Sequence, residues 1–457
     1  MRVGIVGGGI TGLTAAYKLR QQSIGVTVIE AAPDLGGLCR SFDFGAFLWD
    51  KFYHCILTSD DYLLDLIEEL ELTSELRWTE TKTGFYSKHG LHSMSNSIEF
   101  LRFPPLSLWE KFRLGAGILR AARLRDEREL EQTPVREWLI EYFGRGVYEK
   151  VWEPLLKCKL GACRNEASAA FIWSYITRYY STREKSTSKK EVLGYVRGSY
   201  RTFFQRLLEK LQAFGTEFVM NSPVQRIERA PAGGVRVHAG GKILDFDRVI
   251  FTGPSHALAR VAPDLGPEYI QKLTRVKYLG VVCAVVILKR SLSPYYITNL
   301  IDSTLPLTGI IEMTAMVRKD EETAGRHLVY LPKYFPQNDP AFEESDESIW
   351  AQLKEGLLRV HPDLKESDIE KHLIFRERFV QPIPVLRYSE QIPPMQTTIP
   401  GLFVANSTFI INRNLNNNQM VKIAQQGVQE VLSSRQPASH HSDSLTQSPM
   451  PLSAALP

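Results

Sequence analysis

The sequence predicts an α/β fold with a doubly wound parallel sheet that begins at the N-terminus and a further α+β domain. Three observations lead to this prediction. The N-terminus runs through a buried strand, a glycine turn, a helix and a second strand. Strand patterns followed by small residues return near residues 248 and 402. The 457 residues also exceed the length at which a single hydrophobic core stops growing.

The overall composition excludes several classes of protein. A net charge of +4 gives no field that would draw the chain to nucleic acid. An odd number of cysteines, five, without a disulfide framework fits a reducing compartment, and their spacing predicts no metal site. The N-terminus shows no signal-peptide pattern, and the longest apolar run, Leu279 to Leu288, is too short for a membrane span and is predicted to be a buried strand. We therefore expect a cytoplasmic protein.

The first element is a nucleotide-binding turn. The strand Val3 to Val6 runs directly into the turn, and the helix after it extends to Leu19. In this pattern Gly7 allows a tight turn, Gly9 lets the backbone approach a diphosphate, and Gly12 lets helix and strand pack closely. Ile10 and Thr11 begin the helix, whose N-terminal end attracts phosphate.

The second strand, Gly25 to Ile29, extends this motif to a dinucleotide. It ends at Glu30 and Ala31, where an acid about 20 residues after the glycines can accept hydrogen bonds from a ribose. A second glycine turn follows, formed by Gly36 and Gly37 with Arg40 and Ser41 close behind. Two turns of this kind fit FAD better than NAD.

These two segments, VGIVGGGITGLTAAYKL and VTVIEAAPDLGGLCRS, resemble the superfamily of FAD-dependent amine oxidases, phytoene desaturases and protoporphyrinogen oxidases. The resemblance implies a discontinuous, Rossmann-like FAD-binding domain, with Gly36, Gly37, Arg40 and Ser41 near the FAD pyrophosphate. It places this domain at residues 1–54, 197–254 and 395–434. Residues 55–196 and 255–394 would form the substrate or cap domain, and 435–457 a disordered tail.

The middle return of the FAD domain contains a helix over 202–214, a strand over 217–220 and a hairpin. Strands 235–239 and 242–246 are joined at Gly240 and Gly241, a two-residue hairpin signal. The next strand, 247–254, resembles the return strand of the family. The resemblance implies that Val224 lies at the adenine and that Thr252 and Gly253 lie near the ADP half.

The C-terminal return, 400–407, is followed by a helix over 419–432. Relatives commonly carry an acid for the ribityl chain where this chain has Asn406, and the resemblance implies that Asn406 takes that role, with Met420 also at the cofactor. Five asparagines occupy the loop 412–418, where many relatives use glycine. Because asparagine tolerates left-handed backbone, we expect this turn to be kept.

The inserted stretches predict the cap domain. The first is mostly helical, with segments at 60–70, 108–128, 135–143 and 146–156, and the second alternates strands such as 281–288 and 327–331 with a helix over 345–360. The helix 108–128 carries apolar residues such as Trp109 and Phe112 against basic residues such as Lys111 and Arg113. A basic amphipathic helix either covers a core or lies on a membrane, so peripheral contact with the inner face of a membrane is one alternative.

Three residues are candidates for chemistry. His54 follows the second glycine turn, at a place that in the superfamily runs beside the flavin ring; it either handles a proton or is an ordinary buried histidine. Lys157 and Arg178 lie in stretches that resemble the desaturases and also UDP-galactopyranose mutase, in which such cations bind a sugar diphosphate. The basic run from Arg183 to Lys190 is either a continuation of that site or a solvated loop.

The resemblance implies an FAD-dependent oxidoreductase that moves a hydride from a carbon of a small, hydrophobic substrate to flavin N5. One alternative is a mutase-like flavoenzyme acting on a nucleotide sugar. Another is a non-catalytic lipid-binding protein like the Rab escort proteins, which the intact glycine turns and Glu30 argue against. The expected partner is a small molecule, and the sequence indicates neither a nucleic-acid partner nor an oligomeric state.

Overall fold

A computed structural model describes residues 1–124, 126–185 and 191–434. The predicted disordered tail and the basic residues Lys189 and Lys190 lie outside the described residues. The strands are β1 (Arg2–Val6), β2 (Gly25–Ile29), β3 (Ser41–Asp43), β4 (Leu48–Asp50), β5 (Ile56–Leu57), β6 (Leu76–Glu80), β7 (Thr83–Ser87), β8 (Gly90–Ser93), β9 (Val192–Val196), β10 (Glu217–Val219), β11 (Val224–Arg229), β12 (Val235–Ala239), β13 (Lys242–Phe246), β14 (Arg248–Phe251), β15 (Tyr278–Leu288), β16 (Ile297–Leu300), β17 (Gly309–Glu312), β18 (His327–Pro336), β19 (Ile369–Pro382) and β20 (Leu402–Val404).

The helices alternate with these strands and concentrate in the first inserted stretch. They are α1 (Ile10–Gln21), α2 (Asp61–Glu69), α3 (Ser97–Arg102), α4 (Leu108–Ala122), α5 (Glu127–Gln132), α6 (Val135–Phe143), α7 (Arg145–Val147), α8 (Glu153–Leu160), α9 (Ala169–Lys185), α10 (Ser199–Ala213), α11 (Ser255–Val261), α12 (Pro267–Arg275), α13 (Lys319–Glu322), α14 (Asp346–Val360), α15 (Tyr388–Gln391) and α16 (Asn417–Ser433). A π-helical turn, Tyr148–Trp152, joins α7 to α8.

A five-stranded parallel sheet in the order β10-β2-β1-β14-β20 forms the first layer. Its strands come from three widely separated parts of the chain, and β1 at the centre is apolar and buried from Val3 onward. Strands buried on both faces need an apolar side chain at nearly every position, which is the pattern of β1 and β2. The α/β fold class is confirmed, while the exact domain bounds stay a prediction.

Helices α1, α2, α10 and α16 pack together on one face of this sheet. Their apolar residues, such as Leu13, Leu66, Leu207 and Val421, form one buried cluster with strand residues such as Ile5. Each fully buried leucine contributes roughly 1.5–3 kcal/mol relative to an exposed one. Helix α2 lies in the stretch predicted to belong to the cap, but it packs in the core of the nucleotide-binding layer.

The second layer is a mixed seven-stranded sheet in the order β19-β15-β18-β17-β16-β7-β8. The predicted strand at 281–288 is present within β15, and all eleven of the residues of β15 are buried. One face of the sheet packs on α14 through residues such as Trp350 and Leu357. The other face packs on the segment 42–57 through Trp49 and Tyr330, which brings that segment between the two layers.

Two of the predicted helices differ from the structure. The helix expected over 108–128 is divided into α4 and α5, because Asp126 caps a new helix with its side chain. The predicted amphipathic arrangement of α4 is wrong as well. Lys111 is buried and donates to the carbonyl of Leu101, while Trp109 and Phe112 face outward. The helix expected over 146–156 continues to Leu160 through the π-helical turn.

Across the described ranges, every helix is too short or too polar to traverse a bilayer.

Candidate active site

The first glycine turn has the geometry that the sequence predicts. Gly7 has a φ of 111°, which favours glycine. A Cβ on Gly12 would lie 1.9 Å from the carbonyl oxygen of Gly7, so only glycine lets α1 pack this close to the turn. Ile10 and Thr11 are buried in the first turn of α1, and this turn contains no acidic residue. The N-terminal end of α1 therefore keeps its attraction for an anion.

The two glycine turns meet and form one bare main-chain surface. The N–H of Gly36 donates to the carbonyl of Gly8 at 2.8 Å, and Gly9 pairs with Gly36 in an isolated parallel bridge. Gly37, with a φ of 56°, lies against Gly9. A Cβ built on Gly9 would meet only the Cα of Gly37, at 3.8 Å, so the surface in front of it is open. We call this surface, formed by residues 7–9 and 36–37, the glycine cradle.

Arg40 supplies a positive charge beside the glycine cradle. Its Cα lies 3.3 Å from the position of a Cβ on Gly36. The Nε of Arg40 is buried, and no group among the described residues accepts a hydrogen bond from it. A buried guanidinium N–H without an acceptor, next to an open main-chain surface at a helix end, fits the diphosphate of a dinucleotide.

Glu30 lies at the end of β2, where the ribose is predicted. Its carboxylate accepts hydrogen bonds from the N–H of Gly8 at 2.6 Å and of Ala32 at 2.8 Å. A carboxylate has about four acceptor positions, so capacity remains for a ligand. The carbonyl of Glu30 accepts from Ser222, which brings Val224, at the start of β11, to the same edge as Glu30 and Ala31. The roles predicted for Glu30, Ala31 and Val224 stay predictions.

Thr252 and Gly253 lie where β14 ends beside the first turn. The hydroxyl of Thr252 donates to the carbonyl of Val6 at 3.0 Å and fills the space beside Gly7. The carbonyl of Gly253 accepts from the amide of Asn406 at 2.7 Å. Thr252 therefore shapes the glycine turn through its side chain.

Asn406 has a structural role in the fold. It is buried, its amide donates to Gly253 and Ser255, and its carbonyl accepts from the N–H of Thr408. These bonds hold β20 against β14 and cap a short helical turn. The expected contact of this side chain with a ribityl chain stays a prediction.

The asparagine loop 412–418 is held by its own side chains. Asn412 has a φ of 53°, so the expected left-handed turn is present. Asn412 donates to Glu131, Asn414 bonds to Ser174, and Asn416 caps α16. Asn417 accepts from the Cys39 thiol and Asn418 from the N–H of Leu63. Met420, in the first turn of α16, is buried in the cluster that the first layer forms, and its predicted place at the cofactor stays a prediction.

His54 lies in a cluster of buried polar groups behind the second glycine turn. Its Nε2 is 3.4 Å from the sulfur of Cys39, its ring packs edge-on against Tyr200 at 5.3 Å, and its Nδ1 is 4.0 Å from Asp50. Because the Cys39 thiol donates to Asn417, the Nε2–H of His54 is the donor toward sulfur. Nδ1 faces Asp50, and a hydrogen bond of the ring with the backbone of Phe52 offsets part of the effect of burial on the pKa of His54.

Burial moves the pKa values of this pair in opposite directions. It lowers the pKa of His54 to about 4 and raises the pKa of Asp50 to about 7. Asp50 receives weak hydrogen bonds from the hydroxyl of Ser41 and the N–H of Tyr200, both at 3.4 Å, which offset part of this rise. His54 is therefore neutral at pH 7, while Asp50 exchanges a proton near that pH. Two titratable groups with separated pKa values are typical of a site that handles protons.

We infer an internal space next to His54. Burial raises the pKa values of Tyr53, Cys55 and Tyr175, and the Nζ of Lys159 lies over the Tyr334 ring, yet each of these residues and His54 keeps accessible surface. Side chains that are deep and still accessible line an internal space. We call it the His54 cavity. Its wall on the side of the seven-stranded sheet is Tyr334, whose hydroxyl bonds to that of Tyr53 at 2.8 Å.

Two predicted anion-binding residues have partners within the protein. Arg178 forms an ion pair at 3.1 Å with the buried Asp60, and its predicted role at an anion stays a prediction. Lys157 is exposed and donates to the hydroxyl of Ser303 at 3.3 Å. The neighbouring Lys159, which the same stretch of sequence supplies, points into the cavity instead.

Several groups at the cavity were not predicted. They come from three distant parts of the chain: Asp50, Tyr53, Tyr175 and Tyr334. In the sequence, each of them could equally be a core residue without a role at the site. The only signal in the sequence was the clustering of Asp50, Tyr53 and Cys55 around His54. Tyr334 gives no local signal, because the pairing of β18 with β15 decides its position.

Residues 10–409 match the family model for flavin-containing amine oxidoreductases. The chain belongs to this family. Membership establishes a flavin-dependent oxidoreductase with FAD as cofactor, in agreement with the open glycine cradle and Arg40, and it argues against the escort-like alternative.

The chain is also similar to individual proteins. It is 27% identical over 162 residues to protoporphyrinogen oxidase 2 of Arabidopsis thaliana, covering 34% of this chain and 32% of that protein. It is 24% identical over 298 residues to coproporphyrinogen III oxidase of Mycobacterium leprae, covering 60% and 64%. The match thus spans less than two thirds of either relative. The crystal structure of reduced UDP-galactopyranose mutase has the same fold, with a TM-score of 0.73, 16% identity and coverage of 94% and 95%.

Proposed function

We propose that this protein oxidises a carbon centre of a small, hydrophobic substrate bound in the His54 cavity. The observation that carries the proposal is that this space is lined by aromatic side chains and borders a neutral histidine paired with a carboxyl that titrates near pH 7. Bound FAD supplies the acceptor for the electrons and hydrogen removed from substrate, since such redox chemistry belongs to the cofactor.

The residues of the chain have three tasks in this proposal. The tyrosines and the buried strand β15 exclude water and hold an apolar substrate. The glycine cradle and Arg40 bind the cofactor diphosphate. His54 passes a proton released during turnover to Asp50, 4.0 Å away, whose pKa of about 7 makes it the stronger base of the pair.

A porphyrinogen is the first substrate class to test, because the relatives named above are porphyrinogen oxidases. The purified holoenzyme would be mixed anaerobically with protoporphyrinogen, coproporphyrinogen, a primary amine or a polyene, and the flavin absorbance followed. Bleaching by one of these supports the proposal, and the absence of bleaching by all of them contradicts it.

His54→Ala tests the site within the same assay. We expect the variant to retain flavin and to bleach at least about tenfold more slowly, since a positioned base contributes 10²–10⁴-fold in such reactions. His238→Ala is the matched control, because His238 lies on β12 and pairs with Glu228, away from the cavity. Equal rates for the wild type and His54→Ala would remove His54 from the reaction.

The UDP-galactopyranose mutase alternative has less support. It relied on Arg178 as a diphosphate ligand, and that guanidinium pairs with Asp60. The similarity in fold at 16% identity carries no substrate with it. A change in the flavin spectrum on adding UDP-galactose to the dithionite-reduced holoenzyme would favour this alternative.

We further infer that the protein touches a membrane through an apolar patch on α3 and α4. Five large apolar side chains there are more than half exposed: Ile98 (64%), Leu101 (57%), Leu108 (75%), Trp109 (64%) and Phe112 (64%). Trp109 and Phe112 stack on each other at 5.5 Å. Exposed apolar side chains grouped on neighbouring helices are typical of an interaction surface.

Charge complementarity favours an anionic lipid surface as the partner. Arg102 and Arg123, both exposed, flank the patch, and neither forms an ion pair with any residue that the structure describes. The one acid within α4, Glu110, turns away to pair with Lys150. Basic residues beside exposed tryptophan and phenylalanine are typical of helices that lie in the interface of an anionic bilayer.

Sedimentation with lipid vesicles tests this contact. We expect binding to vesicles of phosphatidylcholine with a quarter phosphatidylglycerol, and about tenfold weaker binding for Phe112→Asp, since burying one such ring contributes roughly 1.5–3 kcal/mol. Ile243→Asp is the control, because Ile243 is 60% exposed on β13 and outside the patch. An equal loss of vesicle binding in both variants would contradict the inference. So would a wild type that binds no vesicles but forms a dimer that Phe112→Asp disrupts.

A further inference from the structure

Lys159 carries a charge that the described residues do not balance. It lies near the end of α8, deep in the protein, and its Nζ is 3.2 Å from the centre of the Tyr334 ring. No carboxylate pairs with it among the described residues, whereas Lys150 and Lys277 each have one. Keeping an ammonium out of water without a partner costs several kcal/mol. The C-terminal end of α8 offsets only part of this cost, as it carries about half an elementary charge.

The groups around Lys159 are rich in hydrogen-bond donors. The hydroxyls of Tyr53 and Tyr334 share one hydrogen bond, so one of their two O–H groups remains to donate elsewhere. Tyr175 is close enough to influence the pKa values of both Lys159 and Tyr53. An ammonium has three donors and no acceptor. This part of the His54 cavity therefore matches a ligand that is anionic and accepts hydrogen bonds.

We propose that Lys159, with Tyr53, Tyr175 and Tyr334, binds a carboxylate carried by the substrate. This rests on the proposed function, which places an apolar substrate in the same cavity. The carboxylate would neutralise the buried ammonium, and the aromatic walls would contact the apolar body of the substrate. The site thereby selects hydrophobic acids over amines or neutral polyenes of the same size.

The position of the cluster favours substrate over cofactor as the ligand. Tyr334 lies on β18 of the seven-stranded sheet and Lys159 on α8, and both belong to the inserted stretches. The groups that fit the cofactor, the glycine cradle and Arg40, lie on the N-terminal segments. Burial lowers the pKa of Lys333, the neighbour of Tyr334, and raises the pKa of the Cys158 thiol beside it, so that thiol stays neutral and supplies no negative charge there.

The test compares the affinity of the holoenzyme for an anionic probe with its affinity for a neutral probe of the same shape. 2-Naphthoate and 2-naphthamide, which are alike in size and apolar area, would be titrated into the holoenzyme while the flavin absorbance is followed. We expect naphthoate to bind at least about tenfold more tightly, because hydrogen bonds to a charged partner are about twice as strong as neutral ones. Equal affinity for the two probes would overturn the proposal.

Three variants identify the residue that causes the preference for naphthoate over naphthamide. Lys159→Met should bind both probes equally, Lys159→Arg should keep the preference, and Lys157→Met is the matched control on the exposed side of the same helix and should also keep it. Loss of the preference in Lys157→Met, or its survival in Lys159→Met, would overturn the proposal. Removing a buried charge in favour of an apolar side chain of similar volume is often neutral for stability, so Lys159→Met should fold.

Two further readouts distinguish a carboxylate site from an effect of Lys159 on the flavin. Sulfite adds to oxidised flavin, and we expect Lys159→Met to leave the affinity for sulfite unchanged. A change in sulfite affinity as large as the change in naphthoate affinity would mean that Lys159 acts on the cofactor. That result would overturn the proposal. Bleaching by a porphyrinogen ester as fast as by the free acid would also overturn it while leaving the proposed oxidation intact. If no substrate bleaches the flavin, the proposed oxidation fails, and the naphthoate preference still decides the carboxylate site.

Discussion

The glycine cradle allows one substitution to separate cofactor binding from folding. Gly9 has a φ of −79°, which alanine adopts without strain, and the nearest atom to an added Cβ is 3.8 Å away. Replacing glycine by alanine at a helix N-cap costs on the order of 1 kcal/mol. We therefore expect the Gly9→Ala apoprotein to fold with nearly unchanged stability.

The same methyl group would stand where the diphosphate meets the main chain. If it displaces two hydrogen bonds to a charged group, at about 1.5–3 kcal/mol each, binding weakens by roughly 3–6 kcal/mol, which is at least about 100-fold in Kd. FAD titration of the apoprotein, followed by flavin fluorescence, measures the Kd, and thermal unfolding of the same sample measures stability.

Two other glycines provide the controls for Gly9→Ala. Gly115, in α4, has no atom within 4 Å of an added Cβ, so Gly115→Ala should leave FAD binding unchanged and stabilise the helix by up to about 1 kcal/mol. Gly12→Ala would place a Cβ 1.9 Å from the carbonyl oxygen of Gly7 and should lose both folding and binding. The reasoning is refuted if Gly9→Ala binds FAD within about threefold of the wild type, or if it fails to fold while Gly115→Ala folds.

Three further predictions concern buried polar groups. Burial raises the pKa of Asp50 from 3.8 to about 7, so between these values the native state holds a proton that the unfolded state releases, and stability falls as pH rises. The loss is at most about 4 kcal/mol. Asp50→Asn should abolish it in urea unfolding at pH 5 and pH 8, and a wild type equally stable at both would contradict this. Asp60→Asn should destabilise by about 2–3 kcal/mol, because the Arg178 charge stays buried beside a neutral amide; a change below about 0.5 kcal/mol in denaturant unfolding would show that the pair contributes little. Asn418→Ala should cost about 0.5–1.5 kcal/mol, measured as a lower Tm, because the N–H of Leu63 loses the Asn418 side chain but keeps the carbonyl of Asp60, 3.1 Å away, as an acceptor, whereas Asn418→Asp should retain most of the stability.

The sequence by itself determined the nucleotide-binding part of the fold. The strand, glycine turn, helix and acid follow one another within 30 residues. Local backbone conformation requires glycine at Gly7, which has a positive φ, and close packing requires it at Gly12, so the motif is visible in the sequence. The hairpin β12–β13 was predictable for the same reason, because two glycines occupy its turn.

The tertiary structure decided the partners of polar groups that are far apart in the chain. Arg178 and Lys159 are both basic residues of the first inserted stretch, but Arg178 meets Asp60 from 118 residues away, and Lys159, on α8, meets Tyr334 of the seven-stranded sheet. Asn406 similarly finds Gly253 and Ser255. Such pairings depend on how β14, β18 and β20 are placed, which no short stretch of residues encodes.

Helix α4 shows the same division within a single element. Its sequence has apolar residues on both faces, so periodicity alone does not determine which face is buried. The structure buries Leu114 and Lys111 and exposes Trp109 and Phe112. Local sequence specifies an element through backbone conformation and periodicity, whereas the buried face and the partners of its charges are chosen by the elements that pack against it.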